Sequence, residues 1–575
     1  MLVLLKSLLF VISTIGSFEL IRKVSDDKVN IYFLPSLTIA IQVSVLFMAG
    51  LLNLLPETAM ALYLIGFAGI IYRICKEKGL AFLKAYINPG YILFSVLLLI
   101  FAVYLRGKIL TQYDNFSHWG LVVKSMLATD RYPNFKDTLI GFQEYPLGSS
   151  TYIYYFVKFT RTSESFQMLA QCYTMLAAIL PLYSFAKKNH VAVSIVLISF
   201  VNYVLLYNIN ITELPVDTLL PLVGICGLLF VYQHCKEGRK IMLGFASCYM
   251  IQLMQIKNSG IFFVILIAIY MLRSAKKNNI YIYRGISIAV PFLSFLLWHK
   301  HCKYVFNSAA TSRHAMTLES FTSVFHTKSQ EDIKTICASL LEFAVTYKEL
   351  WITVGICALI GALILITRKE IGKGFLKVGL LSIVIYVTYM IGMLGMYLFS
   401  MPGNGAIGLS SVERYTKTIL IAILYLNMVP AVMLISDLSG KRLITSAAAA
   451  CMFCLFFAGM YIGSGLITTV VQFEFNNSGR NCVERDWLED AIKKNDVPMG
   501  SSYCILIPEN DAGYASYLGK YILQTPINVK VVENEDDLSD ISQAYIFNYD
   551  QDNDIIQNWI QETYPEQVGN EVIIR

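Results

Sequence analysis

Long apolar runs, separated by short polar segments, dominate the chain from residue 2 to residue 467. Each run has about 20 residues and almost no charged side chains, which is the length that an α-helix needs to cross a bilayer. A membrane barrel would show short alternating segments instead. The pattern therefore predicts an all-α polytopic membrane protein with about 14 transmembrane helices. The runs lie near residues 2–21, 30–55, 59–74, 90–110, 166–186, 191–207, 216–233, 241–256, 260–272, 281–298, 344–366, 375–399, 416–436 and 443–467.

The pattern changes after about residue 470, where the apolar runs stop and charged residues become frequent. Residues 484–494 and 553–564 have helical periodicity, and short buried strands are predicted at YCILI, NVKVV, AYIFNY and EVIIR. Strands that alternate with helices indicate a small α/β domain. We therefore divide the chain into N-terminal transmembrane helices (1–87), a core transmembrane domain (88–469) and a soluble α/β domain (470–575).

Composition agrees with this division, because 56% of the 575 residues are hydrophobic and only 15% are charged, with a mean hydropathy of +0.56. The net charge of +6 lies mostly in short loops, and no basic stripe with interleaved aromatic residues indicates a nucleic-acid partner. The first run ends in Arg22 and Lys23 without a cleavage site, so we interpret it as a retained helix. Cys451 and Cys454 have the spacing of a CxxC motif, but within an apolar run they are interpreted as small residues at a helix interface.

Lys and Arg clusters follow every second run, which places those loops in the cytoplasm. The loops 111–165, 208–215, 257–259, 299–343 and 400–415 then share the outer face with the C-terminal domain. This orientation requires that residues 145–159 do not cross the membrane; their short apolar length suits an interfacial helix with a tyrosine-rich wet side. Abundant Ile, Lys, Asn and Tyr suit a bacterial plasma membrane.

Polar residues gather at four places on this outer face. Asp114, in QYDNFSHWGLVVKSM, follows a run by a few residues, where an ionised carboxylate is costly unless it faces a cavity or a partner. It is either a helix N-cap or a proton acceptor. His118 follows it at helical spacing. Glu213 and Asp217 stand four residues apart at the mouth of another run, on one face if they are helical.

Two basic residues complete the set. Lys257 interrupts two apolar runs in QIKNSGIF, where a lone lysine either snorkels to the interface or holds an anion. Arg414, followed by Tyr415, precedes a run in GLSSVERYTKTIL and either anchors the helix or binds a phosphate in a forked geometry. Acids and bases together on one membrane face suit a reaction between a hydroxyl group and a lipid phosphate.

The order of these motifs resembles the GT-C membrane glycosyltransferases, particularly the branch of protein O-mannosyltransferases and aminoarabinose transferases. DNFSHWGLVVKSML resembles the family's acidic first outer loop, with Asn115 in place of the second acid. EYPLGSSTYIYYF resembles the Pro-Pro-Leu element, with Tyr145 in place of one proline. Asp217 in ELPVDTLLPL and Lys257 in IKNSG resemble the second acidic element and the lysine hairpin. The similarity covers residues 90–275, with a weaker match at Arg414 and Tyr415.

The resemblance implies an inverting transfer of one sugar from a polyprenyl-phosphate carrier, such as undecaprenyl phosphate, to a hydroxyl group of a glycan, lipid or protein. Asp114 is then the general base, and Lys257 and Arg414 stabilise the leaving phosphate. His118, Tyr145, Glu213, Asp217 and Tyr415 are predicted to bind substrate, with His118 also able to bond back to Asp114. The branch mostly works without a cofactor, although the converging acids leave a divalent metal open.

The residues leave three other functions open. A lipid-linked oligosaccharide flippase needs ionisable residues along a route through the bilayer, whereas here they crowd one face. A polysaccharide polymerase or ligase is expected to use several arginines of a large outer loop, and loop 299–343 offers only Arg313. An inactive scaffold is the third. His299, His301 and Cys302 are interpreted as interfacial residues rather than metal ligands.

Overall fold

The computed structural model describes residues 1–207, 211–273, 280–306, 318–367, 369–437, 442–464 and 480–575. Helices make up most of the described chain before residue 465, and the fold class agrees with the sequence prediction. We number these helices α1 (Leu2–Val24), α2 (Leu34–Leu51), α3 (Leu55–Glu77), α4 (Pro89–Tyr104), α5 (Gly120–Thr129), α6 (Gly148–Phe159), α7 (Glu164–Ile179), α8 (His190–Val201), α9 (Leu219–His234), α10 (Lys240–Ile256), α11 (Ile261–Arg273), α12 (Tyr281–Val305), α13 (Leu318–His326), α14 (Gln330–Thr346), α15 (Lys348–Thr367), α16 (Lys369–Phe399), α17 (Gly403–Ile407), α18 (Val412–Asp437) and α19 (Arg442–Ser464).

Eight helical segments of the described residues are long and apolar enough to cross a membrane. They are Leu2–Val24, Ile31–Leu51, Leu55–Glu77, Glu164–Phe185, Tyr281–Val305, Gln330–Ile366, Gly374–Phe399 and Val412–Asp437. Six shorter apolar helices accompany them, among them α4, α9, α10 and α11. The chain is therefore a helical membrane protein, while the predicted count of 14 crossings is not confirmed.

Local sequence signals account for several helix boundaries and contacts. Asn88 caps α4 by accepting a hydrogen bond from the backbone N–H of Tyr91 at 3.1 Å, and Pro89 occupies the first turn. Helices α1 and α3 pack with their backbones in contact, since a Cβ atom added at Gly16 would lie 1.8 Å from the carbonyl oxygen of Gly66. Small residues at a helix crossing are the usual basis of close packing in membranes.

Helix α6 corrects one sequence expectation. It has 12 residues and is too short to cross a bilayer, as predicted. However, its tyrosines do not form a wet side, because Tyr152, Tyr154 and Tyr155 are at most 3% exposed. Helices α2, α5 and α7 pack around α6 and bury them. The Tyr154 hydroxyl, for example, donates to Asp130 at 2.6 Å.

The C-terminal domain contains a four-stranded sheet. Its elements are α20 (Arg480–Lys494), β1 (Tyr503–Ile507), α21 (Tyr514–Leu523), β2 (Ile527–Val531), β3 (Tyr545–Asn548), α22 (Asp554–Thr563) and β4 (Val572–Ile574). The strand order is β2-β1-β3-β4, with β1 parallel to both neighbours and β4 antiparallel to β3. Every residue of β1 is buried, as expected for a central strand covered on both sides. All four strands lie at the predicted segments, as do α20 and α22, whereas α21 was not predicted.

Helix α21 joins this domain to the segment that follows α4. The Tyr514 hydroxyl donates to the backbone oxygen of Thr111 at 2.9 Å, and the rings of Tyr517 and Tyr113 lie 4.6 Å apart. From α20, Arg485 donates to the backbone oxygen of Leu110 at 2.6 Å. Three contacts therefore hold residues 110–113 against the C-terminal domain, immediately before Asp114.

Candidate functional site

Asp114 lies directly before a π-helical turn, Asn115–Trp119, which continues into α5. Its side chain makes no capping hydrogen bond, so the N-cap interpretation is wrong. Instead, its carboxylate accepts a hydrogen bond from Nη1 of Arg414, which is 300 positions away in the first turn of α18. The Asp114 side chain remains 33% exposed. A second molecule therefore has access to this carboxylate.

Asp217 and Lys257 form a buried ion pair, with 2.6 Å between Oδ1 and Nζ. Asp217 precedes α9 and Lys257 follows α10, so both lie at the same end of this antiparallel helix pair. Burial raises the pKa of Asp217, but the charges of Lys257 and Arg414 lower it by more, so the net shift is downward. Burial lowers the pKa of Lys257, but the Asp217 carboxylate together with Tyr415 and Tyr145 raises it by more, so the net shift is upward. Both groups are therefore charged at neutral pH. Because Lys257 is held in this buried ion pair, its side chain does not snorkel to the membrane interface.

Arg414 connects the two acids. Its Nη1 bonds to Asp114, and its Nε lies 3.5 Å from Oδ2 of Asp217. The ring of Tyr415 lies beside both cations, 4.9 Å from Nζ of Lys257 and 5.5 Å from the Arg414 guanidinium carbon. An aromatic ring at this distance contributes cation–π attraction. Four charged residues from four chain segments thus alternate in sign as one connected array.

Glu213 does not share a helix face with Asp217, because residues 211–218 are not helical and α9 begins only at Leu219. Asn115 holds Glu213 instead. Its amide Nδ2 donates to Glu213 Oε2, and its Oδ1 accepts the backbone N–H of Leu214 at 3.1 Å. Burial raises the pKa of Glu213 to about 8, although the hydrogen bonds from Asn115 and Thr111 act in the opposite direction. Glu213 is therefore mainly protonated at neutral pH.

Glu213 is expected to make the protein less stable as pH rises. Between its ordinary pKa of 4.5 and its folded pKa of about 8, the folded state holds a proton that the unfolded state has lost. Stability therefore falls with increasing pH across this interval. We expect the melting temperature of Glu213→Gln in nanodiscs to fall less between pH 5 and pH 9 than that of the wild type. The exposed Glu237→Gln is the matched control, and parallel curves for Glu213→Gln and wild type would contradict the expectation.

His118 and Tyr145 pack against each other, with ring centroids 5.1 Å apart and Trp119 beside them. His118 is 2% exposed, and neither ring nitrogen has a hydrogen-bond partner among the described residues. Burial lowers the pKa of His118 to about 3, so its ring is neutral. It does not bond back to Asp114, which corrects one of its predicted roles. Tyr145 lies within electrostatic reach of Lys257, Arg414 and Asp114, so the aromatic pair adjoins the charged array.

A cavity of about 610 Å³ opens beside the array. Glu213, Asp217 and Arg414 line it, and Lys417 adds a second cation one turn along α18. The rest of its wall comes from residues 408–413 and from Gln112, Pro215 and Thr418. Within this wall, Leu409 and Ser411 have positive φ angles of 46° and 61°. The volume is within the range of small-molecule sites. This cavity can hold a molecule in contact with both signs of charge.

The sequence missed three features of the site. The sequence indicates Asn115 as a departure from an acidic motif and gives no sign that it is the partner of Glu213. The wall formed by residues 408–412 was not predicted, although the Gly-Leu-Ser-Ser run before Val412 was a signal for a turn. The packing of the C-terminal domain on the Asp114 segment had no sequence signal.

Other predicted residues lie elsewhere. His299, His301 and Cys302 belong to the last turns of α12, with the His301 ring stacked on Trp298. Among the described residues, no group of three His, Cys, Asp or Glu side chains is arranged to hold a metal ion. Arg313 lies outside the described residues.

Comparison with known proteins adds two similar structures. No protein-family model and no curated protein match the chain. The chain is similar to ArnT from Cupriavidus metallidurans in the apo state, with 12% sequence identity, 82% of this chain and 94% of that chain covered, and a TM-score of 0.46. It is also similar to ArnT from the same organism bound to undecaprenyl phosphate, with 13% identity, 77% and 86% coverage, and a TM-score of 0.43.

Proposed function

We propose that the protein transfers a sugar from a polyprenyl-phosphate carrier to a hydroxyl group at the outer face of the bacterial plasma membrane. The observation that carries this proposal is the array of Asp114, Arg414, Asp217 and Lys257 at one end of the helices, beside a cavity of about 610 Å³. The array contains a reachable carboxylate and two cations, which are the groups that such a transfer needs.

Arg414 and Lys257 bind the phosphate of the carrier. Arg414 lies in the first turn of a 26-residue apolar helix, so it stands at the height of lipid headgroups when that helix crosses the membrane. Its guanidinium group suits the forked geometry of a phosphate. The positive N-terminal end of α18 adds to the attraction. Both cations are paired with carboxylates here, and the pairing stabilises the charge of the largely buried Lys257.

Asp114 accepts the proton of the acceptor. The acceptor oxygen attacks the anomeric carbon of the sugar as the bond from that carbon to the phosphate oxygen breaks, and the acceptor proton passes to the Asp114 carboxylate. The carrier leaves as a phosphate whose charge Arg414 and Lys257 stabilise. Attack opposite the leaving group inverts the anomeric configuration.

Arg414 also sets the order of events. Without a ligand, Nη1 of Arg414 is bonded to the Asp114 carboxylate and occupies one of its oxygens. A carrier phosphate competes with Asp114 for the same guanidinium group. Donor binding therefore releases Asp114 for its role as the base, so the donor binds before the acceptor reacts.

The proposed orientation rests on the distribution of positive charge. The Lys and Arg clusters that follow every second apolar run are expected in the cytoplasm. This puts the charged array and the C-terminal domain on the outer side, where carrier-linked sugars are consumed. The acceptor is a hydroxyl-bearing glycan, lipid or protein, and the proposed scheme uses no cofactor.

The test is transfer by purified protein in nanodiscs. A panel of polyprenyl-phosphate sugars is incubated with membrane extract as the acceptor, and the release of free carrier phosphate and the labelled product are followed together. We expect one donor to give equal amounts of both products. Movement of intact carrier across liposomes without release of the sugar would instead establish a flippase.

A further inference from the structure

A second cavity, of about 480 Å³, lies between the C-terminal domain and helices α5 and α7. Most of its lining side chains carry hydrogen-bonding groups, among them Lys124, Gln167, Arg485, Glu489, Tyr521 and Gln524. Its volume, too, is within the range of ligand sites. No residue lines both this cavity and the one beside Asp217, so the two are separate.

The charges on the wall of this cavity pair with one another. Arg485 contacts Glu164 at 2.9 Å and Glu489 at 2.8 Å. Lys124 donates to the backbone oxygen of Tyr521 at 2.6 Å. The lining holds two cations and two carboxylates, so it has no net charge. An anion finds no excess of positive charge here. An acyl chain would keep Oε1 of Gln167 buried without a hydrogen-bond partner, because this lining atom has none among the described residues. An uncharged ligand with many hydroxyl groups matches this wall.

The same wall is connected to the proposed base. Glu164 Oε2 accepts the backbone N–H of Leu110 at 2.7 Å, and Arg485 Nη1 donates to the backbone oxygen of the same residue at 2.6 Å. Two residues further on, Gln112 lines the first cavity. The chain between Leu110 and Gln112 thus passes from one cavity to the other. A ligand in the second cavity lies against the groups that fix the backbone just before Asp114.

We propose that the second cavity binds an uncharged saccharide. If the proposed function holds, this cavity is a subsite for a glycan acceptor and binds the sugar units next to the one that reacts. The assignment as an acceptor subsite rests on the proposed function, whereas saccharide binding to the cavity does not. The C-terminal domain thereby contributes to acceptor choice as well as to the shape of the Asp114 segment.

The test measures binding without any donor. The full-length protein is placed in nanodiscs, because the sugar headgroups of common detergents would compete. Maltotetraose, cellotetraose, mannotetraose and tetraacetylchitotetraose are titrated by saturation-transfer difference NMR, and inorganic phosphate serves as the anionic probe. Ala128 lines the cavity and is exposed, so Ala128→Trp fills the space without removing a lining hydrogen bond. Ala81→Trp, at another exposed alanine, is the matched control.

We expect at least one tetrasaccharide to bind, with an affinity at least tenfold weaker in Ala128→Trp and unchanged in Ala81→Trp. Thr162→Trp, at a second exposed lining position, replaces Ala128→Trp if the latter does not fold. Absence of binding by all four sugars, binding that the filled cavity does not weaken, or binding of phosphate in their place would overturn the proposal. Sugar binding without any transfer would contradict the proposed function alone.

Discussion

Asp114→Asn is expected to lower the rate of sugar transfer by about 10²–10⁴-fold, the usual contribution of a general base. The substitution keeps the size and shape of the side chain but removes its ability to take a proton. Carrier binding is expected to stay the same or to strengthen, because Arg414 no longer has Asp114 as a competing partner. The measurement is kcat at saturating donor together with the Kd of the carrier in nanodiscs.

The control for this substitution is Asp130→Asn. Asp130 lies at the end of the same helix, α5, and pairs with Lys158 away from the cavity. Its backbone has a φ angle of 53°, a conformation that asparagine accepts readily. A transfer rate in Asp114→Asn within threefold of the control would remove Asp114 from the chemistry.

Arg414→Met is expected to weaken carrier binding by roughly 10–100-fold. A hydrogen bond to a charged group contributes about 1.5–3 kcal/mol, and about 1.4 kcal/mol corresponds to one factor of ten. The loss also leaves Asp114 and Asp217 facing the phosphate without the cation that they share. Arg414→Lys is expected to recover part of the affinity, because an ammonium group supplies the charge but not the fork.

The control for charge alone is Arg239→Met, at a partly exposed arginine that pairs with Glu237. Both variants change the net charge equally, so a general electrostatic effect on carrier binding would appear in both. The Kd of a polyprenyl phosphate without sugar is the appropriate measurement, since it excludes any effect on the chemical step. Equal affinities in Arg414→Met and Arg239→Met would show that the phosphate binds elsewhere.

Patterns that depend on nearby residues were predictable from the sequence. Hydropathy located the apolar helices, and short β-branched runs located all four strands of the C-terminal sheet. Asp217 and Lys257 were predicted as separate candidates, and the structure brings them to 2.6 Å. Polar residues at the ends of apolar runs tend to meet because helix ends gather at the same two levels of a membrane bundle.

Features that depend on distant packing were not predictable. The short apolar sequence of α6 is typical of an interfacial helix with tyrosines on its wet side. Only the helices packed around α6 show that these tyrosines are buried. The spacing of Glu213 and Asp217 suggested one helix face, but α9 starts after them. The bond between Asn115 and Glu213 joins residues 98 positions apart, and no local pattern carries that information.

The contacts of the C-terminal domain also matter for how the protein is made. Once Arg414 has been synthesised, all four charged residues of the array are present in the nascent chain. The segment before Asp114 still lacks its contacts with Arg485 and Tyr514, which are synthesised later. Those residues emerge only with the last part of the chain. The nascent protein therefore enters the membrane with the array present but without these contacts, and the final shape of the site depends on the synthesis of the C-terminal domain.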